Sequence, residues 1–108
     1  PSAEELDGRG VVDVEQICWG NDYPHYEGTF PYNLESLQLT FGAIPERERR
    51  LILGENAARL YNFDLDKLRP LAAQYGPTPQ QLDQPPAAIP QDSGCYLFQR
   101  ALKASASA

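Results

Sequence analysis

The chain has 108 residues and a formal net charge of −6, with no basic stripe, because Arg47, Arg49 and Arg50 alternate with Glu46 and Glu48. That length holds one domain at most, or a piece of one. The charge argues against nucleic acid or an anionic membrane as the partner, and no apolar run approaches the roughly 20 residues of a spanning helix. Cys18 and Cys95 lie far apart and form no Cys-x-x-Cys pair, so neither a zinc knuckle nor a disulfide framework is indicated. Two free thiols in a reducing cytoplasm are expected. The chain opens with Pro1, which reads as a fragment or a processed product.

In chain order, Ala3 to Leu6 suit the end of a helix and Asp7-Gly8-Arg9-Gly10 a turn. Residues 11–14 suit a short extended segment, weakened by Asp13. Gln16 to Gly20 is the best strand in the sequence. Successive strand side chains face opposite ways, so Ile17 and Trp19 share one face while Cys18, Gly20 and Asp22 share the other. Large residues on one side, with small ones and a carboxylate on the other, suit a closed barrel with covering helices. A buried strand of an ordinary sheet, with Asp22 as a turn former, satisfies the same pattern. At the C-terminal tip of a barrel strand, a carboxylate is where metal-dependent enzymes keep a ligand or proton acceptor. Asp22 is followed there by Pro24 and by the single histidine, His25.

Beyond a loop holding Glu27, Gly28 and Pro31, Asn33 reads as a helix N-cap, with Leu34, Leu37 and Phe41 at helical spacing and Gly42 as the stop. Pro45 reads as the first position of a second helix that Gly54 ends. Ala57 to Tyr61 form a third. Asp64 caps a turn over 65–69, and Pro70 opens a further segment, Leu71 to Tyr75, stopped by Gly76-Pro77. Thr78-Pro79-Gln80-Gln81 has the form of a capping box. From Gln84 onward, prolines and then alanines and serines suggest an extended, poorly ordered tail. Within it, Cys95 to Leu102 is amphipathic enough to dock as a strand or one helical turn. One strand and several short helices cannot bury their own apolar faces. Other chain is expected to complete the core.

These residues carry a recognisable pattern. Ile17-Cys18-Trp19-Gly20-Asn21-Asp22-Tyr23-Pro24-His25 resembles the last-strand signature of the amidohydrolase-related metal-dependent hydrolases, the group that includes aminocarboxymuconate-semialdehyde decarboxylase. The likeness continues through Glu27-Gly28-Thr29-Phe30-Pro31 and Pro45-Glu46, and is strongest again from Ile52 to Phe63. It covers roughly residues 10–82. The fold it implies is α/β, the C-terminal fragment of a (β/α)8 TIM barrel, mostly helical as an isolated chain. Residues 1–63 would be the last barrel strand and its closing helices, 64–83 a short helical extension, and 84–108 the proline-rich tail. A whole barrel takes about 250 residues. The His-x-His pair and middle-strand histidines of the group have no counterpart here, and His25 alone cannot build a three-ligand zinc site.

By this resemblance Asp22 is both metal ligand and catalytic proton carrier, at a divalent metal, zinc, held in the full-length enzyme. No metal is expected in the isolated chain. Two readings of His25 stand side by side: a donor to a substrate carboxylate or phenolate, or a ring hydrogen-bonded to backbone. Trp19 is expected to pack between strand and helix, and Tyr61 and Phe63 to be core. Asn56 is expected to bond loop backbone, and Arg59 to pair with an acid. The implied function is hydrolysis of a C–N or C–O bond, or non-oxidative decarboxylation, of a small organic substrate. The isolated fragment would be inactive. Its partners would be the small substrate and the remainder of the barrel, with a second copy embraced by residues 84–108 a further reading compatible with these. The rival reading is a stand-alone, non-catalytic interaction module that docks through Trp19, Leu60, Tyr61 and Phe63.

Overall fold

A computed structural model describes residues 3–107. Seven α-helices follow one another with no β-strand among the described residues: α1 (Ala3–Asp7), α2 (Asn33–Phe41), α3 (Glu46–Arg50), α4 (Asn56–Tyr61), α5 (Leu65–Tyr75), α6 (Pro79–Leu82) and α7 (Tyr96–Ala106). None is long and apolar enough to cross a membrane. The core gathers Leu6 of α1, Leu37 and Phe41 of α2, Ile44, Ile52 and Leu82, with Ile17, Trp19 and Leu34 packed at its edge. Arg49, nearly buried, staples this core from inside. Its guanidinium donates to the carbonyls of Phe41 (2.9 Å) and Gly42 (3.0 Å) and pairs with Asp83 at 2.8 Å.

The strand expected over 16–20 does not form. Gln16 closes a 3-10 turn with Val14, and residues 17–20 follow as extended backbone with no neighbouring strand. A ladder needs a second extended segment about 4.8 Å away, and none of the described residues supplies one. The alternation of faces nevertheless holds. Ile17 and Trp19 are half-buried on the core while Cys18, Gly20 and Asp22 are exposed. Residues 11–14, expected to be extended, are instead a turn and the start of that 3-10 segment.

Two expected helices are one. Gly54 does not stop the chain, because a π-helical turn, Leu51–Glu55, carries α3 directly into α4. In this wider turn the Asn56 N–H reaches back to the Leu51 carbonyl, as π geometry requires. The Ile52 carbonyl accepts from Trp19 N–H at 3.0 Å. Asn56, 2 % exposed, then donates its side-chain amide to the carbonyls of Val14 and Ile17, each at 2.8 Å. Arg59 donates to the Glu15 carbonyl at 2.7 Å and lies near its carboxylate. Both residues therefore bind the loop before the extended segment, as their sequence context suggests.

Asn62 ends α4 in the left-handed conformation, φ 57°, a common stop for asparagine. Tyr61 and Phe63, expected in the core, are instead 65 % and 53 % exposed, and Leu60 beside them is 69 % exposed. The described chain covers them only in part, and the rings of Tyr61 and Phe63 stack on each other at 5.7 Å. Helix α5 is likewise continuous through Pro70 and buries no residue. In its solvent-facing position the proline forgoes one backbone bond without breaking the helix. Asp64 caps α5 through the N–H groups of Asp66 and Lys67, and the capping box of Thr78 and Gln81 starts α6. Asn33 is the first helical residue of α2 and not its cap, because its side chain accepts from Thr29 Oγ1 at 2.7 Å. Pro45, expected as the first helical position, is the residue before α3.

The end of the chain packs on the rest. Residues 84–95 have no regular secondary structure, but α7 is three turns long and not a single turn. Cys95 and Phe98 recur at helical spacing and are buried, Phe98 completely. Its ring meets Tyr32 edge-on at 6.2 Å. The Tyr32 hydroxyl donates to Asp92 Oδ1 at 2.7 Å, and Arg100 pairs with Glu4 of α1.

Two outcomes follow from these ties. Asn56→Ala leaves two carbonyls short of a donor and should lower stability by about 2 kcal/mol or more, read as a lower urea midpoint. The hydrogen bond to Asp92, with the negative charge beside it, holds the Tyr32 phenol above the ordinary tyrosine value of 10.0. A raised folded value means the tie is whole below the unfolded tyrosine range and is lost as pH climbs through the folded value. Ultraviolet titration should therefore show one tyrosine ionising late, and Tyr32→Phe should abolish that late step. An unchanged curve in Tyr32→Phe would contradict the tie.

Candidate functional site

The segment that leaves the core at Trp19 turns into a loop, 21–32, that carries both candidate residues. Backbone bonds close it. Thr29 N–H donates to Asn21 O at 3.0 Å, Gly28 N–H to His25 O at 3.0 Å, and His25 N–H to Asp22 O at 2.8 Å. The Asn21 side chain accepts from Tyr23 N–H at 3.1 Å. Gly28 is the residue that allows this closure. A Cβ there would sit 2.6 Å from the Asn21 carbonyl oxygen and 3.1 Å from that of Asp22, so any side chain would force the loop open. Sequence reasoning gave Gly28 no role, and a glycine in a polar loop offers no signal to separate it from an ordinary turn.

Asp22 takes a left-handed backbone, φ 59°. Aspartate tolerates that region better than most residues, and it turns the carboxylate away from the core. The structure brings it to His25, with Nδ1 to Oδ2 at 3.6 Å. Both side chains are exposed, so the attraction is weak in water even when the ring is charged. His25 Nδ1 also accepts from Glu27 N–H at 3.2 Å. In the neutral ring this bond puts the proton on Nε2, making that atom the donor. The backbone-bonded reading of His25 is thus met at one nitrogen, while the other is left to donate.

His25 lines a shallow cavity of about 310 Å³ shared with Tyr26, Tyr32 and residues Asp92, Ser93 and Gly94. These last three come from the tail, which sequence reasoning did not connect with the site. Sixty residues separate Tyr32 from Asp92, and no pattern in either segment announces the pairing. Glu27 faces solvent, and Trp19 packs on the core. Cys18 is an exposed free thiol on the same open side as Asp22, and Cys95 is free and buried.

The donor set available for a metal is short. Among the described residues no group of three or more His, Cys, Asp or Glu side chains is close enough to hold one. Asp22 and His25 offer a carboxylate and an imidazole, where a catalytic zinc takes three protein ligands. By themselves these residues do not fit a metal site. What the pair offers is a carboxylate that accepts a proton and an imidazole N–H that donates one, on one face of one loop.

Comparison with known proteins gives a family match over this part of the chain. The family model described as amidohydrolase matches residues 10–63. No curated protein matches the chain, and no solved structure does. The matched stretch is half of the 108 residues and holds the extended segment, the Asp22–His25 loop and the Asn56 helix that anchors them. The protein belongs to the amidohydrolase family.

Proposed function

We propose that this chain is the C-terminal part of a metal-dependent enzyme of the family, related to the aminocarboxymuconate-semialdehyde decarboxylase group. The enzyme would hydrolyse a C–N or C–O bond of a small organic substrate, or remove a carboxyl group from it without oxidation. The observation that carries the reading is the placing of Asp22. It stands at the end of an extended segment pinned on one side only, in a left-handed conformation that turns its carboxylate outward. The open side, with Cys18 and Gly20 next to Asp22, is where the remainder of a (β/α)8 barrel would pack. The exposed Leu60, Tyr61 and Phe63 give that remainder a second area to cover. Alone, the chain would be inactive.

The chain's own contribution is proton handling and orientation. In hydrolysis Asp22 takes the proton of the attacking water and returns it to the leaving nitrogen or oxygen. In decarboxylation it would manage the proton that replaces carbon dioxide. His25 presents Nε2–H to an acceptor on the substrate and holds it in place. A divalent metal, zinc by family resemblance, supplies acidification of bound water in enzymes of this kind. Asp22 would be one ligand in a set that other parts of the enzyme must complete. The enzyme would work in the cytoplasm, where Cys18 and Cys95 stay reduced.

Asp22→Asn tests the assignment, since asparagine keeps the left-handed backbone and removes the charge that would both accept the proton and help hold the metal. In the full-length enzyme it should lower kcat by about 10²- to 10⁴-fold, with the circular dichroism spectrum and unfolding midpoint unchanged. Turnover near that of the unsubstituted enzyme would sink the role given to Asp22. His25→Ala should raise KM more than it lowers kcat, because it removes a positioning donor.

A further inference from the structure

Helix α5 lies open to solvent along its whole length. Every residue from 59 to 81 is exposed, and α5 buries none of its own side chains. A helix of 11 residues is marginal in water when nothing packs against it. Pro70 in its interior costs about 3 kcal/mol more. The side chains are nonetheless patterned. Leu65, Leu68, Ala72 and Tyr75 recur at spacings of three, four and three, the seam by which one helix meets another. Pro70 stands two residues from both Leu68 and Ala72, which puts it on the opposite side of the helix. A partner on the seam would therefore never meet the proline.

Three features say what that partner is. The seam is symmetric about residue 70. Two α5 helices laid antiparallel about that point set Leu65 of one copy against Tyr75 of the other, and Leu68 against Ala72. Large side chains thus meet small ones, and the face is complementary to itself, as a two-fold interface requires.

Charge points the same way. Residues 60–81 carry Asp64, Asp66, Lys67 and Arg69 and are neutral as a segment, so the net −6 of the chain lies elsewhere. Two copies meeting through α5 bring the least like charge together. Arg69, which flanks the seam near the two-fold point, is already paired with Asp66 at 3.0 Å. The area sets the strength. Leu65, Leu68, Leu71 and Tyr75 are 36 %, 41 %, 52 % and 77 % exposed. Covering them in two copies removes on the order of 1,000 Å², the lower end for a specific interface.

We propose that α5 is a self-association surface, on which the α5 of a second copy of this chain docks antiparallel. The dimer is weak, with Kd on the order of 10–100 μM. It goes beyond the catalytic reading and does not depend on it. Leu60, Tyr61 and Phe63, which precede α5, remain for the rest of the barrel to cover.

Sedimentation of the 108-residue chain across that concentration range tests the proposal. A monomer–dimer equilibrium is expected. Leu68→Lys should weaken it by about tenfold or more, because each copy then brings a charge into the seam. Tyr61→Lys, outside the seam, should leave it unchanged. Cross-linking with a short thiol-reactive linker checks the register independently of stability. In a Cys18→Ser background, which removes the exposed native thiol, Leu68→Cys and Ala72→Cys chains are mixed. Mass spectrometry should find the mixed 68–72 product in excess over 68–68 and 72–72. A chain that stays monomeric well above the range would overturn the proposal. So would a dimer broken by Tyr61→Lys but not by Leu68→Lys, or same-residue products in excess.

Discussion

The carboxamide of Asn56 is the contact on which the arrangement of this chain depends. It is almost fully buried, and its two N–H groups take the carbonyls of Val14 and Ile17, one on either side of the bend where the extended segment begins. The π turn that precedes it places it there. That turn inserts an extra residue per helical bond, which shifts the face that α4 presents. The same turn receives the Trp19 N–H on the Ile52 carbonyl. With the bond from Arg59 to the Glu15 carbonyl, four hydrogen bonds thus hold residues 14–19 to one continuous helical run. Among the described residues no strand pairs with their far side.

A loop secured in this manner can carry reactive side chains at little cost to the fold. The 21–32 loop is closed by backbone bonds and by the bare Cα of Gly28, and not by burying its polar side chains. Asp22 and His25 are consequently free of structural work beyond one bond from Glu27 N–H. Exposed in water, a pair 3.6 Å apart interacts feebly. Its chemistry grows when water is excluded and the surrounding dielectric falls. The open face beside Cys18 and Gly20 is the side from which such exclusion would have to come.

Local chemistry was legible in the sequence, and pairing across distance was not. The Thr78–Gln81 box, the Asp64 cap and the alternation of Ile17 and Trp19 against Cys18 follow from side-chain type and spacing, and the bonding roles of Asn56 and Arg59 from the segment that carries the resemblance. The strand did not appear, because a strand is a relation between two segments and the described residues offer no second one. Gly54 and Pro70 were over-read as breaks. Glycine raises the cost of a helix without forbidding it, by about 1 kcal/mol, and packing of Ile52 and Asn56 on either side of Gly54 outweighs that. Tyr61 and Phe63 were assigned to a core because the resemblance puts them in a helical layer after the last strand, and that placement does not say what covers them. The Tyr32–Asp92 tie joins two segments that share no motif.

One atom sharpens this picture. Asn56 Oδ1 is buried and has no hydrogen-bond partner among the described residues, while both amide protons on the same side chain are used. Native interiors seldom leave such an acceptor idle, since it costs about 1–3 kcal/mol. Asparagine persists here because the two carbonyls it serves need donors and no smaller residue reaches both. Leucine would fill the space yet strand Val14 and Ile17. Aspartate would add an acceptor where donors are required. The anchoring of the Asp22 segment therefore requires an amide at this position, whatever its oxygen meets. The residue that holds the candidate site together is thus dictated by the backbone it supports and not by the reaction.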